Sequence, residues 1–232
     1  MSAAPDDPTR PQSDDVGAYD SVAEEYEGRW REHRPLDAVR KFGALAGRGA
    51  RVLDVACGPA VDVRLLRDAG LKVFAGDLSH ACMKVGKLYH PKGALARWDF
   101  RRLPFLQATF EGVWAPAALQ HLPRGALRAG FAELRRVQAK GPIFVTFREG
   151  RGDLEAVQDE PAGTVHVTSV TLDECRALLL DAGYGEVEVE QRPDALGRDV
   201  TWVYGWGRRP QDGWATTRTV VAGRHAERPT TS

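Results

Sequence analysis

Between Arg51 and Asp62 the chain reads RVLDVACGPAVD. The short apolar run suits a buried strand, which carries Asp54 toward its carboxyl end. Three small residues then alternate, Ala56, Gly58 and Ala60. Small residues permit a tight turn and let backbone approach a ligand closely. A helical pattern follows, with Leu65, Leu66 and Ala69 on one face and Gly70 as its stop. Strand, tight turn and helix in that order predict an α/β fold, in which ligands gather at the carboxyl ends of the strands.

The same alternation continues. LKVFAGD predicts a second strand ending at Asp77, and Ser79 is placed to cap the helix HACMKVGK. ALARWD is a weaker strand signal ending at Asp99, and TFEGVWA and GPIFVTF are stronger ones. Leu127, Phe131, Leu134 and Val137 form a helical stripe, and Thr171 with Glu174 forms a capping-box pair for another helix. Gly150 to Val170 reads as irregular, and two alternating strands joined by a PDALG turn region close the chain. Upstream, Tyr19, Val22, Ala23, Tyr26 and Trp30 recur at helical spacing, as do Leu36, Val39, Phe42 and Leu45. The expectation is a single open α/β sandwich, a mostly parallel sheet with crossover helices on both faces and a C-terminal antiparallel hairpin. Trp202 and Trp206, on that hairpin, are expected in the core.

Residues 1–17 are rich in Pro, Ser and Asp and are expected to be a disordered N-terminal arm. Residues 18–209 form the expected domain, and 210–232 a disordered C-terminal tail. With 32 Lys+Arg against 32 Asp+Glu the formal charge is zero, which disfavours nucleic acid and anionic membrane as partners. No apolar run is long enough to span a bilayer, and the acidic start lacks a signal-peptide core. Three scattered cysteines, with no spacing suited to zinc, point to a reducing compartment, and the expected location is cytoplasmic. Neither a P-loop nor a G-x-S-x-G elbow is present.

Asp77 lies 19 residues after Gly58, a distance at which one carboxylate accepts from two ribose hydroxyls. Asp99 is placed to accept from an adenine amine, or to pair with Arg101 or Arg102. Acids at three successive strand ends describe an adenosine-like ligand without phosphates. A nicotinamide-dependent oxidoreductase shares the Asp77 logic, but the G-x-G-x-x-G that holds pyrophosphate is missing.

With these residues in place, the chain resembles the class I S-adenosylmethionine-dependent methyltransferases, in the branch acting on small molecules. VLDVACGPA, GDLSHACM and RWDFRRLPF are similar to that family's first three motifs. TFEGVWAPAALQHLP and RVQAKGPIFVTFREG resemble its fourth- and fifth-strand segments, and YDSVAEEY its cofactor-covering helix. The likeness runs from about Tyr19 to Arg209. It implies a Rossmann-like, seven-stranded sheet, S-adenosylmethionine as cofactor, and an enzyme, monomeric or homodimeric, that methylates a small-molecule acceptor by in-line displacement. It also implies cofactor contacts from Tyr19, Asp54, Ala56, Cys57, Gly58, Asp77, Leu78, Asp99 and Phe100. Cys57, with no partner base in the sequence, reads as a small packing residue within that loop.

His121, just past the fourth strand, is the expected general base. Tyr26, Trp30 and Arg148 are the candidate acceptor contacts, Arg148 with Glu149 alternatively a solvated pair. Ala56 and Ala60 stand where the family commonly has glycine, and alanine there is expected to need a negative φ. The other reading is a non-catalytic S-adenosylmethionine-binding or regulatory module. RNA or protein methylation is disfavoured by neutrality and the lack of an added recognition domain.

Overall fold

The computed structural model describes residues 13–209 apart from positions 32, 34 and 160. The expected arm over 1–12 and tail over 210–232 lie outside the described residues. The elements run in the order α1 Ser13–Ser21, α2 Ala23–Arg31, α3 Leu36–Ala46, β1 Arg51–Val55, α4 Val63–Asp68, β2 Lys72–Asp77, α5 His80–Tyr89 and β3 Ala94–Arg97. They continue with β4 Gly112–Ala115, α6 Leu127–Val137, β5 Pro142–Arg148, β6 Glu155–Asp159, β7 Gly163–Val167, α7 Leu172–Asp181, β8 Gly185–Pro193 and β9 Thr201–Arg208.

Seven strands form one sheet in the order β3-β2-β1-β4-β5-β9-β8. Pairing is parallel from β3 to β5, and β9 runs antiparallel to both β5 and β8. This is the expected Rossmann-like sandwich. The strand order turns back between β1 and β4, which opens a crevice above their carboxyl ends.

Alternation along the strands divides the core between two faces. Leu53, Val55, Val113 and Val145 pack under α6 and α7, where Phe131, Leu134 and Leu179 are fully buried. Val52, Trp114 and Phe144 point the other way, against Phe42 of α3 and Leu66 of α4. Each such side chain contributes about 1.5–3 kcal/mol by leaving water. The local punctuation matches the sequence. Ser79 Oγ accepts from the Cys82 N–H at 3.0 Å, and Thr171 Oγ1 from the Glu174 N–H at 3.3 Å. Gly70 and Gly183 take left-handed φ of 88° and 84° just after their helices.

Four expectations change. The single helix read over Tyr19–Trp30 is two, broken at Val22. Helix α1 begins at Ser13, inside the stretch expected to be disordered, because Asp15 is buried against the hairpin that follows β5. That hairpin, β6–β7, occupies the segment read as irregular, and its apolar side packs Val165 and Val167 on Ala18, Tyr19 and Val22. Leu36, read as part of an apolar stripe, is exposed. Among the described residues no helix is long and apolar enough to cross a membrane.

Candidate active site

A cavity of about 250 Å³ opens over the carboxyl ends of β1, β2, β4 and β5. Its first half is built by the turn after β1. Ala56, Gly58 and Ala60 all take left-handed φ, at 48°, 54° and 65°. The expectation that Ala56 and Ala60 need negative φ is therefore overturned. An alanine there carries strain of about 1–2 kcal/mol, which the surrounding packing sustains. Ala117, at the end of β4 in the same cavity, is a third such residue, with φ 52° and its N–H held by Thr146 Oγ1 at 2.9 Å. A Cβ built on Gly58 would meet only the Tyr26 ring, at 3.9 Å, so bare backbone faces open space.

Asp77 closes the turn. Its Oδ2 accepts from the Gly58 N–H at 2.8 Å and its Oδ1 from the Ser79 N–H at 2.9 Å. Each carboxylate oxygen keeps a lone pair for a further donor. Asp54 is buried, and its Oδ2 has no hydrogen-bond partner. Burial first, then the charges of Asp62 and Asp77, push its carboxyl well above the usual range. Asp62 accepts from the buried indole N–H of Trp114 at 2.9 Å. Leu78, Phe100, Cys57 and Asp99 line the same half. Asp99 also realises its alternative pairing, receiving Arg101 Nε at 2.8 Å. Burial, with Asp54 and Asp77 nearby, pushes the Cys57 thiol well up, which disfavours the nucleophilic thiolate.

Helix α1 forms the cover through three anchors. Asp20 accepts from Ser79 Oγ and from the Ala81 N–H at the start of α5. Tyr19 Oη donates to Asp159 Oδ2 on β6 at 3.2 Å. Asp15 Oδ1 accepts from the His166 N–H on β7 at 3.1 Å. Burial opposes the charge on Asp15, yet the nearby His121 ring and the hydrogen bonds with His166 together hold the carboxyl below the usual range.

His121 lines the cavity after β4, its ring edge-on to Tyr19 at 5.7 Å. Its Nδ1 lies 3.2 Å from the His166 carbonyl and 3.8 Å from Asp15 Oδ2. A carbonyl only accepts, so a neutral ring facing it carries its proton on Nδ1 and leaves Nε2 as the acceptor.

Tyr26 and Trp30 reach the cavity as expected. Arg148 does not. It is buried at the end of β5, where Nη2 donates to the Gln158 carbonyl and to Asp159 Oδ1, both at 3.2 Å, and it is absent from the cavity wall. Burial of this strand end, unreadable in REG, makes it a structural ion pair rather than an acceptor contact. Arg198 donates to the same Asp159 oxygen, Oδ1, at 2.9 Å and also binds Asp194 at 2.8 Å. Trp202, expected in the core, instead lines the cavity and donates Nε1 to Asp194 at 2.8 Å.

Several lining residues were not singled out from the sequence: Asp15, Gln120, Thr146, Asp159 and Asp194. Thr146 had a signal, as the polar residue in an otherwise apolar GPIFVTF strand. The others had none, since their placement depends on distant partners.

Comparisons with known proteins agree with this geometry. A family model described as "Methyltransferase domain" matches residues 52–141. A malonyl-[acyl-carrier protein] O-methyltransferase of Pseudescherichia vulneris is 36% identical over 178 residues, 75% of this chain and 70% of that protein. A demethylmenaquinone methyltransferase of Renibacterium salmoninarum is 36% identical over 143 residues, 57% of each chain. The chain thus spans little more than half the length of several curated relatives it matches. Among solved structures, the 1,6-didemethyltoxoflavin-N1-methyltransferase of Burkholderia thailandensis has the same fold, with TM-score 0.66 at 20% identity, covering 90% of this chain and 94% of that one. The chain belongs to the class I S-adenosylmethionine-dependent methyltransferases.

Proposed function

We propose that this protein transfers a methyl group from S-adenosylmethionine to a small-molecule acceptor. The observation that carries the reading is the charge of the cavity wall. Seven aspartates line it, Asp15, Asp54, Asp62, Asp77, Asp99, Asp159 and Asp194, and no lysine or arginine does among the described residues. A pyrophosphate beside the Asp77 carboxylate would be repelled, by about 4 kcal/mol per unit-charge pair 4 Å apart at an effective dielectric of 20. A sulfonium nucleoside with an ammonium tail is favoured by the same field.

The residues present fit that group. Asp77 offers two oriented oxygens to ribose hydroxyls, and the unpartnered Asp54 Oδ2 suits an ammonium. Gly58 leaves room for close approach, and Leu78 and Phe100 supply apolar surface for a base. Bound there, S-adenosylmethionine supplies a methyl group already activated by its positively charged sulfur. The protein aligns the acceptor and excludes water, which contributes up to about 7–11 kcal/mol in well-oriented reactions. His121 is the proposed base, its Nε2 free to take the acceptor's proton. The relatives' printed names, which specify demethylmenaquinone and a carrier-bound malonyl group, support an acceptor other than nucleic acid.

Calorimetric titration with S-adenosylhomocysteine and with NADH separates this reading from an oxidoreductase. Binding of the first and not the second is expected. Tight NADH binding without S-adenosylhomocysteine binding overturns the proposal.

A further inference from the structure

We infer that the acceptor is an uncharged, flat aromatic molecule bearing an oxygen substituent, of the phenol or hydroquinone type. The inference rests on the functional reading above, because it concerns the half of the cavity that the nucleoside would leave open.

That half is walled by aromatic side chains. Phe144, Trp202 and Tyr204 project from one face of the antiparallel β5–β9 pair, in which Thr146 lies opposite Tyr204 and Arg148 opposite Trp202. Trp30 of α2 lines the cavity as well. Aromatic faces of this kind bury a flat apolar ring well.

Charge then narrows the class. Three guanidiniums flank these rings: Arg192, 5.5 Å from the Tyr204 ring centre, Arg198, 5.8 Å from that of Trp30, and Arg148, 6.0 Å from that of Trp202. None lines the cavity, whereas Asp159 and Asp194, the partners of Arg148 and Arg198, do. The chain Arg148–Asp159–Arg198–Asp194 is neutral in sum and turns its acidic members toward the ligand. A carboxylate or phosphate on the acceptor would lose its hydration with no cation to replace it.

Hydrogen bonding separates the remaining candidates. The Trp30 indole N–H is buried with no partner. It needs an oxygen lone pair, which a hydroxyl or carbonyl supplies and an ammonium does not. A protonated amine would also find Asp159 and Asp194 already engaged with arginines.

The test uses 2-naphthol and 2-naphthoate, equal in ring size and different in charge, titrated calorimetrically into the full chain with and without saturating S-adenosylhomocysteine. In the loaded protein naphthol is expected to bind about tenfold more tightly than naphthoate. Trp202→Ala should weaken naphthol severalfold, and Trp30→Phe, which keeps a ring and removes the N–H, should weaken it less. Ala195→Arg adds a cation on an exposed rim position and should move the preference toward naphthoate. Equal or tighter naphthoate binding, no naphthol binding, or unchanged affinity in Trp202→Ala and Trp30→Phe proteins that melt normally would each overturn the inference. Failure of S-adenosylhomocysteine itself to bind counts against the functional reading instead, and the naphthol-to-naphthoate ratio in the unloaded protein still decides this one.

Discussion

The Gly58 N–H donates to Asp77 Oδ2 at 2.8 Å, so the turn after β1 and the end of β2 are joined by a charge-assisted hydrogen bond. One carboxylate therefore shapes the loop and presents the edge proposed to bind ribose. Asp77→Ala removes both functions. Affinity for S-adenosylhomocysteine should fall at least about tenfold, or about 1.4 kcal/mol. Unchanged calorimetric affinity in a folded Asp77→Ala protein would take Asp77 out of the site.

Asp54 makes the cavity acidic at a cost in stability. Its folded pKa is raised, chiefly by burial, so its protonated form favours folding. That contribution is full below the unfolded pKa, about 3.9, and is lost as pH rises through the folded value. Asp54→Asn should flatten this pH dependence and raise the melting temperature near neutrality, by about 2–4 °C per kcal/mol gained. The same variant should bind S-adenosylhomocysteine more weakly. Calorimetric melting between pH 4 and 8 checks the first outcome, and a lower melting temperature than the parent's at pH 7 would refute it.

Ala56 has φ 48° and lines the cavity. An ordinary Ala→Gly change destabilises by roughly 0.5–1 kcal/mol. Here glycine also removes left-handed strain of about 1–2 kcal/mol. Ala56→Gly is expected to be neutral or up to about 1 kcal/mol stabilising in urea denaturation. A loss above about 0.5 kcal/mol would show that packing, rather than strain, governs this position.

His121→Ala should lower turnover of an accepted substrate by about 10²–10⁴ while leaving cofactor affinity intact. Full activity across the pH range would assign His121 to its structural contacts with Tyr19 and the His166 carbonyl.

What could be read from the sequence is what local chemistry determines. The strand–turn–helix at Asp54 to Asp62, the Ser79 and Thr171 caps and the acid at Asp77 depend on neighbours within a few residues, and all appear in place. The misses have longer reach. Asp15 sits in a polar stretch and is held by His166, 151 residues away. Arg148 reads as solvated from the sequence because its partner Asp159, shared with Arg198, reaches it only through the fold. The β6–β7 hairpin carries few apolar residues and packs on α1, which sequence placed partly in a disordered arm. The positive φ at Ala56 and Ala60 runs against residue preference, and only tertiary packing imposes it.

The neutral Arg148–Asp159–Arg198–Asp194 chain also sets how readily the pocket's preference can be altered. Two cations already wait behind the acids, so reversing selectivity needs no new basic residue. Asp194→Asn would remove one of the two carboxylates that face Arg198 and leave the chain with a net positive charge. In a lineage descended from this scaffold, a taste for anionic acceptors lies one nucleotide-level accident away.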